Sequence, residues 1–248
     1  MRDSKMMGAF RVGVYIDGYN LYYGGNRLVG DGRWKWLDVR ALVAAHIPAF
    51  APWNKAVLDR VVYFTAEITN APESLRRQQA YIEALQPSKS VDFVELGRFR
   101  SILDENFAAT GFFTRIKRVQ KDEHPLPDEK WIKIDSENYV RVTHERNEEK
   151  RSDVNLASHL LIDLFMESID AAIIVSNDAD LSFPIKFART RIPVGVINPW
   201  GTQTVGDLKG NVTDGVGSQW WYRLTADDLL AHQLPETIGH LYRPTAWR

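Results

Sequence analysis

The stretch Ala171 to Asn198, AAIIVSNDADLSFPIKFARTRIPVGVIN, decides the fold. It opens on one short aliphatic run, AAIIVS (171–176), and closes on another, PVGVIN (193–198), with a helix-sized interval between them. Runs apolar at every position suit strands buried on both faces, which is the situation of a parallel sheet covered by helices. Working outward, VGVYI (12–16) and RVVYFTA (60–66) read the same way, and SVDFVELGRF (90–99) reads as a further strand. Helical segments separate them. Trp36, Val39, Leu42 and Val43 recur at helical spacing, and APESLRRQQAYIEALQ starts with Ala-Pro-Glu, a common first turn. Strands alternating with helices predict an α/β fold, with a mostly parallel central sheet between helices. No internal repeat or low-complexity linker divides the chain.

Composition sets the class. The 248 residues are 44% hydrophobic and 25% charged, as in a soluble globular protein of one α/β domain with insertions or two small domains. A formal net charge of -1 means that binding to an anionic polymer needs a local basic patch. The absence of cysteine excludes a disulfide framework and thiolate zinc sites, and fits a reducing compartment. No run approaches the ~20 apolar residues of a membrane helix, and the first apolar run ends in a carboxylate, unlike a signal peptide. A cytoplasmic protein with no membrane partner is expected.

Residues 97–149 break the strand-helix rhythm and read as an insertion. The first half carries Arg98, Arg100, Arg115, Lys117, Arg118 and Lys121 against Asp104 and Glu105, interleaved with Phe99, Phe107, Phe112 and Phe113. Such a mixture suits holding phosphates and stacking bases, or equally packing and a solvated face. The second half alternates in KWIKID and NYVRVTH around Ser-Glu-Asn, which predicts an antiparallel hairpin. From about 199 to 248 a Gly-, Thr- and Asn-rich extension follows. In it Trp220 and Trp221 are expected to anchor the tail, Thr225 to cap a short helix, and the last dozen residues to be disordered.

Several carboxylates fall where an open parallel sheet binds ligands, outside the carboxyl ends of its strands. The run VYID ends on Asp17, and Asp178 and Asp180 follow the strand 171–176. Asp153 heads a helix whose apolar stripe is Leu156, Ala157, Leu160, Leu161 and Leu164. Taken singly, Asp17 is a turn residue, SNDADL an Asp-rich turn, and Ser152 or Asp153 an N-cap. Taken together, converging acids call for a cation, and oxygen-only ligands favour Mg²⁺ or Mn²⁺ over Zn²⁺. The six histidines show no ligand spacing.

VYIDGYNLYY, KRSDVNLASHLLIDLF and AAIIVSNDADLSFPIKFARTRIPVGVI together resemble, in order, the three acidic motifs of the NYN domain, in the LabA-like branch of the PIN-like nuclease superfamily. The likeness runs from about residue 11 to 198. Asp-Gly-x-Asn is intact as Asp17, Gly18 and Asn20. Lys-Gly-x-Asp-Val has Arg151 for its glycine, and Ser-Gly-Asp-x-Asp-Phe has Asn177 for its glycine and Leu181 for its phenylalanine. The resemblance implies a single Rossmann-like three-layer α/β/α domain over 1–248, with its first strand beside the one ending at Ser176. It further implies Mg²⁺- or Mn²⁺-dependent hydrolysis of RNA, single-stranded or structured. Asp17, Asp153, Asp178 and Asp180 would be the ligands, Asn20 would steady a carboxylate or metal-bound water, and Ser176 would contact phosphate or orient Asp178. Arg98, Arg100, Arg115, Lys117 and Arg118 would hold substrate, with Tyr19, Tyr22 or Tyr23 stacking a base or packing behind the first strand. A homodimer is left open.

The main competitor keeps the fold as a non-catalytic module that binds RNA or protein. A haloacid-dehalogenase-type phosphatase needs Asp-x-Asp after the first strand, and position 19 is Tyr; a P-loop is absent.

Overall fold

The structure, a computed structural model, describes residues 9–68, 71–107, 109–110, 117–118, 132–134, 137 and 139–248. The chain divides into two compact units, 1–98 with 151–248, and 99–150. In chain order the first unit contributes β1 (Phe10–Asp17), α1 (Gly18–Val29), α2 (Val39–Ala45), β2 (Ala56–Thr65), α3 (Pro72–Leu85) and β3 (Phe93–Leu96). Next come β4 (Arg98–Phe107), β5 (Ala109–Thr110), β6 (Lys117–Arg118), β7 (Ile132–Ile134) and β8 (Val140–Lys150). The first unit resumes with α4 (Ser152–Phe165), β9 (Ala171–Val175), α5 (Ser182–Arg189), β10 (Val194–Asn198), α6 (Gly206–Lys209), β11 (Trp220–Arg223), α7 (Ala226–Ala231), β12 (Thr237–Ile238) and β13 (Leu241–Tyr242).

Six strands form one parallel sheet in the order β11-β10-β9-β1-β2-β3. The first strand is interior and lies beside β9, the strand that delivers Ser176. Strand alternation divides the core between two faces. Val12, Val14 and Ile16 join Val61, Ile173 and Val175 on one face, under Leu21 of α1, Leu42 of α2, Leu85 of α3 and Leu229 of α7. Tyr15, Phe64, Ile174 and Val196 face the other way, under Leu156 and Leu160 of α4, Ile185 of α5 and Leu208 of α6. The result is a three-layer α/β/α Rossmann-like sandwich. No helix among the described residues is long and apolar enough to cross a membrane.

Two elements differ from the sequence reading. Trp220 and Trp221 anchor the extension by lying in a sixth parallel strand, β11, paired with β10. Its exposure alternates instead of showing a fully buried run, so the apolar-run criterion passed over it. The last dozen residues, expected to be disordered, are packed. Trp247 is buried, with its ring 6.4 Å from Trp36 and 6.3 Å from Tyr81 between centroids. Thr225 caps α7 as expected, in a reciprocal box closed by Asp228.

Beneath α4, opposite in the chain to its acidic first turn, lies a polar cluster in the second core. The Tyr15 hydroxyl donates to Asp163 Oδ2 at 2.8 Å, and Arg60 Nε makes an ion pair with the same oxygen at 2.9 Å. Ser168 Oγ donates to Asp163 Oδ1 at 3.2 Å, and Arg60 donates to His159 Nδ1 at 2.8 Å. Burial and the neighbouring carboxylate push the Tyr15 hydroxyl pKa far up, so it remains a donor.

In the second unit, Ile132, Lys133 and Ile134 pair antiparallel with Val142, Arg141 and Val140, which is the expected hairpin, and β4 lies on the other side of β8. Glu105 of β4 accepts from Lys133 at 2.9 Å, and Arg141 lies 3.6 Å away. These two cations hold the Glu105 carboxyl below its usual range.

Candidate functional site

The site is built where β1 ends. Asp17 is 4% exposed, and its side chain does two jobs. One oxygen, Oδ1, accepts the Asn20 backbone N–H at 2.9 Å and so caps α1, which starts at the next residue. The other, Oδ2, accepts from Ser176 Oγ at 2.9 Å. Ser176 Oγ accepts in turn the backbone N–H of Asp178 at 3.0 Å. A hydrogen-bonded relay thus links the ends of two adjacent strands.

Gly18 and Gly24 allow α1 to sit this close. A Cβ on Gly18 would meet the Phe64 carbonyl oxygen at 2.7 Å, and one on Gly24 would meet the Pro199 carbonyl oxygen at 2.4 Å. Gly18 therefore begins a helix close against β2.

Past β9, Asp178 caps a single 3₁₀ turn, Ala179–Leu181, by accepting the Asp180 N–H at 3.0 Å. Asp178 is half-buried and Asp180 exposed. Leu181, standing where the motif has phenylalanine, is buried in the second core with Leu156 and Leu160 of α4. Asp153 lies in the first turn of α4, the helix that packs against this 3₁₀ turn. Neither Ser152 nor Asp153 is the N-cap considered from the sequence. The cap is Arg151, at φ +88°, with no side-chain capping bond. That left-handed backbone explains why a glycine suits the position. Arg151→Gly is expected to raise stability by about 1 kcal/mol, read as a Tm increase of about 2–4 °C. An unchanged or lower Tm would show that Arg151 is held by something beyond its backbone.

Asn20 and Ser176 are both held by bonds to the segment that carries Asp178. The Asn20 Oδ1 accepts from the Asn177 N–H at 2.9 Å and from Trp200 Nε1 at 2.7 Å, so its carbonyl ties the residue after Ser176 and the extension to α1, while its backbone N–H bonds the Asp17 carboxylate. Ser176 has no exposed surface, and its hydroxyl is spent between Asp17 and Asp178. Of the two roles considered, its bonds fit the orienting of Asp178. Asn177, read as a mere departure from glycine, accepts the Val205 N–H at 2.9 Å and donates to the Gln203 carbonyl at 3.5 Å. Its type was the available signal, since Asn side chains commonly bridge backbone groups. Nothing in the sequence pointed to Trp200.

The four acids share the edge of the sheet where strands end and α4 begins. Among the described residues, no three Asp, Glu, His or Cys side chains are close enough to hold an ion. The donor chemistry fits Mg²⁺ or Mn²⁺, being all oxygen, but the acids do not form a ready cage. Arg98 is exposed. Arg100, Lys117 and Arg118 are placed by backbone alone, in β4 and β6, and Arg115 lies outside the described residues. Of the tyrosines, Tyr23 is exposed, whereas Tyr19 donates to the Ala66 carbonyl at 2.8 Å and Tyr22 packs 6.2 Å from Trp34.

These features define a Rossmann-like α/β protein with an acidic site at the carboxyl edge of a parallel sheet. The chain is 30% identical over 258 aligned residues to 6-hydroxy-3-succinoylpyridine 3-monooxygenase HspA of Pseudomonas putida (strain DSM 28022 / S16), covering 96% of this chain and 75% of that protein. It belongs to the family of that protein. No family model matches it. Among solved structures, a protein of unknown function from Vibrio parahaemolyticus RIMD 2210633 aligns with a TM-score of 0.46 at 15% identity, over 93% of this chain and 99% of that one. A likeness that loose carries no argument.

Proposed function

We propose that the protein is a cytoplasmic, metal-dependent ribonuclease of the NYN type, acting at the carboxyl edge of its sheet. The observation that carries the reading is the nearly buried Asp17, fixed by two hydrogen bonds at a strand end with Asp178 one relay away. Burying a carboxylate is costly, and an N-cap alone is served as well from the surface. Asp17, Asp153, Asp178 and Asp180 would hold Mg²⁺ or Mn²⁺. The ion, when bound, lowers the pKa of water and offsets charge on the phosphoryl oxygens. Ser176 keeps the Asp17 carboxylate oriented, and the Asn20 lock keeps the loop after β9 in place. The basic residues of 97–149 would hold the RNA backbone.

Purified protein is expected to cut a labelled RNA with Mn²⁺ or Mg²⁺, and to stop on chelation. Cleavage that survives chelation would overturn the metal reading; RNA binding without cleavage, falling steeply with salt, would favour the non-catalytic module.

The relative favours a second reading, in which this chain oxygenates a hydroxypyridine ring. Oxygen uptake with 6-hydroxy-3-succinoylpyridine and a two-electron donor, and no RNA cleavage, would establish it over the first.

A further inference from the structure

One cavity of the first unit has no part in the acidic site, although Gly18, the neighbour of Asp17, lies in its wall. It has a volume of about 370 Å³ and opens between α1 and α3, closed by the residues before α2 and by Ala246 and Trp247. This volume is within the range of small-molecule pockets. Its walls are strongly aromatic: Tyr22 from α1, Trp34, Tyr63 from β2 and Trp247 all line it. Flat rings on several sides suit a flat ligand.

Two further observations fix its chemistry. The Tyr63 side chain belongs to a residue only 7% exposed, and among the described residues its hydroxyl has no hydrogen-bond partner. Tyr63 lines the cavity, so its unused donor is open to whatever fills that space. Burial and the nearby Asp17 carboxylate push its pKa up, so it stays protonated and able to donate. The cavity also holds two cations, Lys35 and Arg77, neither with an ion-pair partner among the described residues, while Asp31, a carboxylate in the same wall, is paired with Arg33 at 3.0 Å. Lys35 Nζ sits 4.8 Å from the Tyr22 ring centroid, and Arg77 donates to Ser74 Oγ at 3.2 Å. Aromatic walls, an open hydroxyl donor and two cations outside any ion pair match a ring that carries a negative charge.

We propose that this cavity binds a small planar aromatic anion, with its ring among Tyr22, Trp34 and Trp247, its anionic group at Lys35 and Arg77, and an acceptor atom taking the Tyr63 hydroxyl proton in a hydrogen bond. A nucleoside monophosphate and an aromatic carboxylic acid share this chemistry. The inference rests on the cavity and on neither functional reading.

The test is calorimetric titration of the full chain with two probes, adenosine 5′-monophosphate and pyridine-3-carboxylate. At least one is expected to bind with one-to-one stoichiometry. Lys35→Gln combined with Arg77→Gln should weaken it at least tenfold. Tyr63→Phe should weaken it several-fold with no loss of Tm, because the hydroxyl it removes has no partner in the fold. Asp180→Asn, at an exposed residue that does not line the cavity, should leave binding unchanged, so failure here and failure of the metal site are read separately. Preference for the nucleotide would mark a base subsite, and preference for the acid a pocket for free aromatic acids; either supports the proposal. Binding by neither probe, or equal affinity in wild type and in both sets of variants, would overturn it.

Discussion

Asp17→Asn is expected to cut metal-dependent RNA cleavage by at least ~100-fold while leaving the fold in place. The substitution is informative because asparagine is as good an N-cap as aspartate. The variant can still accept the Asn20 N–H through its carbonyl oxygen, so α1 should stay capped. What disappears is the negative charge, together with the second carboxylate oxygen that faces Ser176. If that charge serves only the helix, Tm and activity should move together by little. If it holds a cation, Mn²⁺ affinity and cleavage should fall together with Tm nearly constant. A variant that cleaves RNA at the wild-type rate would sink the nuclease reading at its main residue.

The largest stability effect is expected from Asp163→Ala, a loss of about 3–5 kcal/mol. The deletion leaves the Arg60 guanidinium facing a site without its counter-charge and the fully buried Tyr15 hydroxyl without an acceptor. At about 2–4 °C per kcal/mol for a chain of this size, Tm should drop by roughly 10 °C. Tyr15→Phe is the internal control. It removes the donor but keeps the ion pair, so its cost should be about 1 kcal/mol. Equal costs for the two variants would show that the hydroxyl, and not the ion pair, dominates the cluster.

The fold was legible where burial is two-sided. β1, β2, β9 and β10 are apolar at almost every position because helices cover both faces, and such runs announce themselves. β11 sits at an edge with Trp221 and Arg223 outward, so the same criterion was blind to it. The candidate site was half legible. Asp17, Asp178 and Asp180 could be placed from strand ends alone, since a strand end fixes where the next residue points. Which atoms they touch could not, because the partners come from far along the chain: Ser176 lies 159 positions from Asp17, and Trp200 lies 180 from Asn20. Asn20 shows the limit well. Its type and position suggested a polar group returned to the acids, and only the tertiary arrangement reveals that two donors claim its oxygen first.

The packed tail bears on how the chain folds in time. Trp36 donates its indole N–H to the Pro235 carbonyl at 2.7 Å across 199 positions, and Leu37 bridges to Gln233. Closing loops of that length costs entropy before any contact rewards it, and folding slows as contacts become more distant in sequence. The β1–α1–α2 region, though made before the tail, cannot complete its own core until residues beyond 230 arrive. Until then, the surface that Trp247 will cover stays open to water, and nascent chains wait with an unfinished hydrophobic face.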